Sequence, residues 1–166
     1  LTGTHQWQDG VDKPGRALHT ATGAGMRLTA MAITTANLIV VGETYEDQSS
    51  RIVFLDPANG NVKWQLPISA SAAVVTGPVE GAAANGMDEL VVIMTSDGHL
   101  TGTLLPADGV TAPSAAFDLA LTASSGATGI VNGAPVMAND GYIYAVVSDK
   151  LYQVTKTGVA QLSANL

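Results

Sequence analysis

The sequence predicts an all-β fold, a partial propeller-like array of four-stranded antiparallel blades, and three observations predict it. The first is composition. The 166-residue chain, the size of one domain, is 46% hydrophobic but only 13% charged, and it holds 18 glycines with many Val, Thr and Ala residues. That charge content is about half the usual share, and the bias is toward strands and turns. The second is the absence of a sustained 3.6-residue apolar period. Only Leu18–Thr34 could be argued as helical, and its Thr, Gly and β-branched residues speak against it. The third is a recurring hairpin, whose turn glycines Gly3, Gly60, Gly109 and Gly158 follow one another at 57, 49 and 49 residues.

In chain order, Leu1–Gly10 reads as the outer strand of an incomplete blade, because Gly3 stands four residues before Trp7 as Gly60 stands four before Trp64. Val11–Gly25 is polar and Gly-rich, with Lys13-Pro14-Gly15 as a turn signal, and reads as a loop. The first blade, 26–68, takes Met26–Thr35, the short apolar run Leu38–Gly42, Arg51–Leu55 and Asn61–Leu66 as strands, with an acidic connection at Glu43–Ser50. Leu38–Gly42, apolar without a break, is expected to be buried on both faces. The second blade, 69–120, takes Ala72–Val79, Leu90–Thr95, His99–Leu105 and Ala115–Leu119, with turns at Ser96-Asp97-Gly98 and Pro106–Gly109. The third, 121–166, takes Gly129–Ala138, Tyr142–Val147 (the strongest strand pattern of the chain), Leu151–Val154 and Val159–Ser163. Four short strands every 40–50 residues or so are the signature of propeller blades, which cover one another's faces by stacking.

The hairpin Phe54–Trp64 carries a specific motif. Asp56, Gly60 and Trp64 stand at the marked positions of the pattern Ala-x-Asp-x-x-Thr-Gly-x-x-x-Trp, with Asn59 in place of the Thr, and Thr2, Gly3 and Trp7 fit a truncated copy. The motif resembles the tryptophan-docking repeat of pyrroloquinoline-quinone-like (quinoprotein-like) β-propellers. Two further copies depart from it: no Trp follows Asp108-Gly109 at the expected place, and Leu162 stands where a Trp would follow Thr157-Gly158. In chemical terms the motif is structural. Gly supplies the positive φ of a tight turn, Asp bonds turn amides, and Trp offers a flat surface to the next blade. Gly3, Trp7, Asp56, Gly60, Trp64, Gly109 and Gly158 are therefore expected to join blades rather than to form a reactive site.

No residue set identifies a reaction. His5, His19 and His99 have no metal-ligand spacing, and neither a Gly-x-Ser-x-Gly elbow nor a His-Glu-x-x-His helix occurs. Gly23-Ala24-Gly25 lacks the strand and helix of a phosphate loop. Glu43, Glu46 and Asp47 read as a solvated acidic loop. Gly81–Leu90 ends like the calcium loops of integrin-type propellers, but only Asn85, Asp88 and Glu89 remain of the oxygen ligands, with Gly81 and Ala83 where the first acidic ones should stand. Calcium takes about six or more oxygens, so this reads as a degenerate turn, and no metal is expected.

Seven basic and fourteen acidic residues give a net charge of −7, with the basic ones scattered, against a nucleic-acid or anionic-membrane surface. No apolar run approaches a membrane span. Cysteine is absent, so no disulfide frame or thiol chemistry is available. A start without Met or signal peptide is read as a processed product or a piece of something longer. The low-charge composition leans toward an exported protein, periplasmic or at the cell surface. The expected role is a non-catalytic interaction or structural module that binds a protein partner through blade loops, with no cofactor. The resemblance implies two alternatives. One is a fragment of a quinone-dependent dehydrogenase, which would bind the quinone and calcium on the ring axis. The other is a subunit of a surface assembly, its propeller completed by further chains. The family also includes scaffolds that bind no quinone, and fold alone does not settle function.

Overall fold

The computed structural model describes residues 27–45, 49–68, 79–123, 125 and 133–165. Among them are twelve strands and no helix, in three four-stranded antiparallel sheets. The first holds β1 (Arg27–Ile33), β2 (Ile39–Thr44), β3 (Ser50–Leu55) and β4 (Val62–Ile68) in that order. The second holds β5 (Val79–Ala82), β6 (Glu89–Met94), β7 (His99–Leu105) and β8 (Ser114–Ala120). The third holds β9 (Val136–Met137), β10 (Tyr142–Val147), β11 (Lys150–Thr155) and β12 (Ala160–Asn165). Each is a meander, so tight turns suffice as connections. The expected outer strand at Leu1–Gly10, the loop at Val11–Gly25 and the positions Gly3 and Trp7 lie outside the described residues.

Side-chain alternation stacks the sheets. Leu38, Val40, Ile52 and Phe54 leave one face of the first sheet and meet Val91, Ile93 and Leu105 of the second. Leu90, Val92, Met94 and Leu100 leave the second sheet's other face and meet Ile143, Ala145, Val147, Tyr152 and Val154 of the third. The second strands β2 and β6 are buried at every position, on both faces. Outer strands β4 and β8 alternate or lie exposed. The first strands β1, β5 and β9 lie beside one another in turn, so the sheets converge on that side.

Two expectations are corrected. Glu43 belongs to β2 and is fully buried, not solvated. It stands opposite Arg51, whose Nε donates to its Oε2 at 2.5 Å while Nη1 donates to Gln65 Oε1 at 2.7 Å. The Tyr45 hydroxyl also donates to Glu43 Oε2, at 2.9 Å, and burial, then this bond to Glu43, raise the tyrosine pKa. A charge can enter the strand because its counter-charge lies directly across the ladder. Gly81 and Ala82, expected in a loop, continue β5 and pair with Leu90 and Glu89. Tyr142–Val147 stands as β10 over the residues expected and is buried on one face, the described residues placing a blade on just one side of it. Its other face holds Tyr144, Val146 and Leu151 along a cleft of about 320 Å³.

The outer strands carry a second contact between sheets. Trp64 sits opposite Phe54, their rings edge to face at 6.5 Å, and packs on the core shared by the first two sheets. Lys63 lies over the Trp64 ring and reaches the Gly109 carbonyl of the next sheet at 2.5 Å. In the second sheet Phe117 holds the corresponding place. It pairs with Gly102, and the ladder skips one residue just beside the pair, as it does beside Phe54–Trp64. Its ring lies in the space that Cβ atoms on Gly102 and Gly158 would occupy. Gly158, on the turn of the third sheet, has a φ of +82°.

Two alanine substitutions separate conformation from contact. Gly86 has a φ of +68° with open space around it, so Gly86→Ala costs only the left-handed backbone, about 1–2 kcal/mol. At Gly158 the new Cβ would stand 2.6 Å from Phe117 Cβ, so Gly158→Ala adds about 1–3 kcal/mol of crowding. Urea unfolding of the two variants checks the difference, and equal losses would remove the joint.

Candidate functional site

Every blade presents two turns at the same end of the array. They are residues 34–38 and 56–61 in the first blade, 83–88 and 106–113 in the second, and 138–141 and 156–159 in the third. Contacts between neighbouring turns fix them as one surface. Ala36 N–H donates to Glu89 Oε1 at 2.9 Å, across the first two blades. Ala107 N–H donates to Asp88 Oδ1 at 3.1 Å, between the two turns of the second. A cleft of about 280 Å³ lies where the second and third blades meet, floored by Ala83, Leu90, Leu104 and Ala116 and rimmed by Asn85 and Lys156.

Local chemistry makes these turns rigid. Asp56 Oδ1 accepts Ala58 N–H at 2.8 Å and its carbonyl accepts Gly60 N–H at 2.7 Å, with Gly60 at φ +74°. Asp108 accepts the N–H groups of Val110 and Thr111 at 2.9 and 2.8 Å and the Thr111 hydroxyl at 2.6 Å. The Thr111 bonds hold the Asp108 carboxyl below its ordinary range. Asp140 accepts the Tyr144 hydroxyl at 2.7 Å and Tyr142 N–H at 3.0 Å, and the tyrosine bond lowers its pKa in the same way. Both stay ionised at pH values where an ordinary carboxyl takes up a proton. With Asp56 and Asp88 they give this end an acidic face, with Lys63 and Lys156 among them.

Of the residues weighed as a calcium loop, Asn85 and Asp88 meet and Glu89 does not join them. Asn85 Nδ2 donates to Asp88 Oδ2 at 2.8 Å, and Asn85 Oδ1 accepts Met87 and Asp88 N–H at 3.0 Å each. Glu89 turns the other way, into the space between the first two blades. Among the described residues no three His, Cys, Asp or Glu side chains gather where they could hold a metal ion. His99 Nδ1 lies 2.9 Å from Asp118 Oδ1 across the β7–β8 ladder. Gly109 and Gly158 occupy their turns at φ +60° and +82°. His5, His19, Glu46 and Asp47 lie outside the described residues.

Sequence reasoning missed the apolar residues of this surface. Met87 and Val110 are 75% and 79% exposed, and Val159, Ile33 and Val62 are exposed beside them. All five stand on or next to these turns. A signal was present: Met87, Val110 and Val159 each follow directly on a turn glycine, Gly86, Gly109 or Gly158. The antiparallel meander sends all three to one end. Each leaves an apolar side chain in water on or beside a hydrogen-bonded turn at this end of the blades.

The comparisons agree with the architecture. A family model described as outer membrane protein assembly factor BamB matches residues 2–164. No curated protein matches the chain. The match takes in all three four-stranded sheets and the hairpin Asp56–Trp64, and the chain belongs to this family of pyrroloquinoline-quinone-like β-propeller repeats.

Proposed function

We propose that the chain is a non-catalytic interaction module of an exported protein, in the periplasm or at the cell surface, which holds a protein partner against the turn end of its blades. The observation that carries this reading is the set of exposed apolar residues on rigid turns, led by Met87 and Val110. Apolar anchors inside a polar rim are the usual anatomy of a protein contact. The acidic rim of Asp56, Asp88, Asp108 and Asp140 favours a partner whose own apolar contacts are flanked by Lys or Arg. The family description, an outer membrane assembly factor, supports the exported location.

Photo-activated cross-linkers at Met87 and Val110, compared with one at Ala115 on the exposed β8 strand, test this in the intact cell envelope. Adducts to one discrete protein are expected from the turn positions and not from Ala115, and equal labelling from all three would sink the reading. With that partner purified, Val110→Glu weakens binding by about 1–2 kcal/mol, five- to thirty-fold in Kd, and leaves the unfolding midpoint unchanged. Incubation with pyrroloquinoline quinone and calcium, followed by dye reduction, is expected to give no turnover. Turnover would revive the dehydrogenase alternative.

A second reading, in which another chain continues the array, is favoured by the open face of the third blade. There Val136 and Val146 are exposed at positions that in the other two sheets are closed by a neighbour. Sedimentation across a range of concentrations checks it. Association that Val146→Lys abolishes is the expected outcome under this reading, and a monomer throughout removes it.

A further inference from the structure

Glu89 is 6% exposed. Its Oε1 accepts the N–H of Ala36, and its Oε2 is buried with no hydrogen-bond partner. A buried carboxylate needs donors or a cation to replace the water it has lost. Among the described residues the one titratable group that faces it is Glu80. Glu80 stands opposite Val91 in the β5–β6 ladder, and Glu89 stands opposite Ala82. The two side chains therefore leave the same face of the sheet as diagonal neighbours about 7–8 Å apart, within reach of each other. Val91 on that face belongs to the core shared with the first blade.

Among the described residues, the elements packed around this point bring no counter-charge. β1 has a single ionisable residue, Arg27, which registers with Thr44 at the far end of the sheet. In β2, Glu43 is committed to Arg51, also at the far end. The turn of residues 34–38 and strand β3 beyond Arg51 have no charge to offer. Lys63 is spent on the Gly109 carbonyl, Asp56 on its own turn, and Asp88 on Asn85 and Ala107. β7 has only His99, at its other end beside Asp118.

We propose that Glu80 holds a proton and donates it to the orphan Oε2 of Glu89, so that the seam between the first two blades is closed by one shared proton and loosens when that proton leaves to solvent. Half-burial first, and the negative charge of Glu89 second, raise the Glu80 pKa. A raised carboxyl pKa contributes stability that is fully present below the ordinary glutamate value, about 4.3, and is lost as pH rises through the raised one. Above that point two carboxylates stand side by side on one face of the second sheet, in a largely apolar seam. Because Glu89 also accepts the Ala36 N–H of the first blade, repulsion that displaces its side chain acts on the joint between the two blades. The inference stands apart from the identity of any partner.

Carboxyl carbon NMR of the intact chain measures it directly. Glu80 is expected to titrate above the ordinary glutamate value, and in Glu89→Gln its midpoint returns toward that value. Titration of Glu80 at or below the ordinary value in the wild type overturns the proposal. Glu80→Gln supplies a permanent amide donor to Glu89. Its melting temperature is expected to gain on the wild type as pH rises through the Glu80 midpoint, and parallel pH profiles would also overturn the proposal. Calcium is added as a further arm. Stabilisation of the wild type above the transition, absent from Glu80→Gln, would put a cation in place of the proton and overturn it as well.

Discussion

A four-stranded sheet has two faces to cover and cannot cover both alone, and the rest of this molecule follows from that constraint. β6 is buried at every residue because it lies between the first and third sheets, and β2 is buried at every residue as well, each strand mostly apolar but carrying one glutamate. Fully burying one Leu, Ile or Phe contributes about 1.5–3 kcal/mol, and Phe54, Ile52, Leu90, Ile93, Met94 and Leu100 are all below 2% exposed. Strands of this kind are stable only in a stack. The outer strands β4 and β8 gain much less by burial, and they tolerate charge, bulges and variable turns.

The aromatic joint is a consequence of the same geometry. Sheets that converge on their first strands must spread apart at their last ones, and the wedge that opens needs a large flat side chain. Trp64 fills it from the first blade and Phe117 from the second, each beside a one-residue bulge that turns the ring toward the next sheet. A ring so placed leaves no room for a Cβ on the facing turn, which is met by Gly158 in the third blade. Positive φ and close approach thus fall on one residue, and turn and joint are specified together.

Much of this was legible in the sequence, for identifiable reasons. Strands β7 and β10 stand where alternation and turn signals place them, since Gly98, Gly109 and Gly141 bracket them at hairpin spacing. The repeat period, read from glycines, needed no knowledge of contacts. Phe117 was not legible, because four additional residues lengthen the turn after Gly109 and break the four-residue spacing that identifies Trp64. Its place is fixed by ladder register, a property of two strands rather than of one segment. Glu43 was misread for a similar reason. Its acidic neighbours argue for a loop, while the residue that allows its burial, Arg51, lies eight positions on, across a turn. The exposed turn residues were visible as a Gly-apolar pair in three places, but only the meander shows that the three share one surface.

The two seams differ in a way that bears on how such an array is used. Between the second and third blades the contact is apolar, and its polar closures are neutral or involve the chain's own carbonyls. The Tyr152 hydroxyl donates to Thr122 O at 2.5 Å, and Lys150 Nζ donates to Ala123 O at 3.0 Å. Between the first and second blades the core is largely apolar too, but Glu89 enters it with one oxygen unsatisfied and Glu80 beside it. An apolar seam is insensitive to pH. A seam to which the described residues bring two carboxyl groups and no cation depends on where one proton resides. Met87, Ile33 and Val110 lie on the turns beside that seam, so a partner resting on them would bridge the joint whose closure the proton controls. Stability in the second seam and adjustability in the first then come from the same blade, because its two faces present opposite residues of one alternating strand, Leu90 on one side and Glu89 on the other.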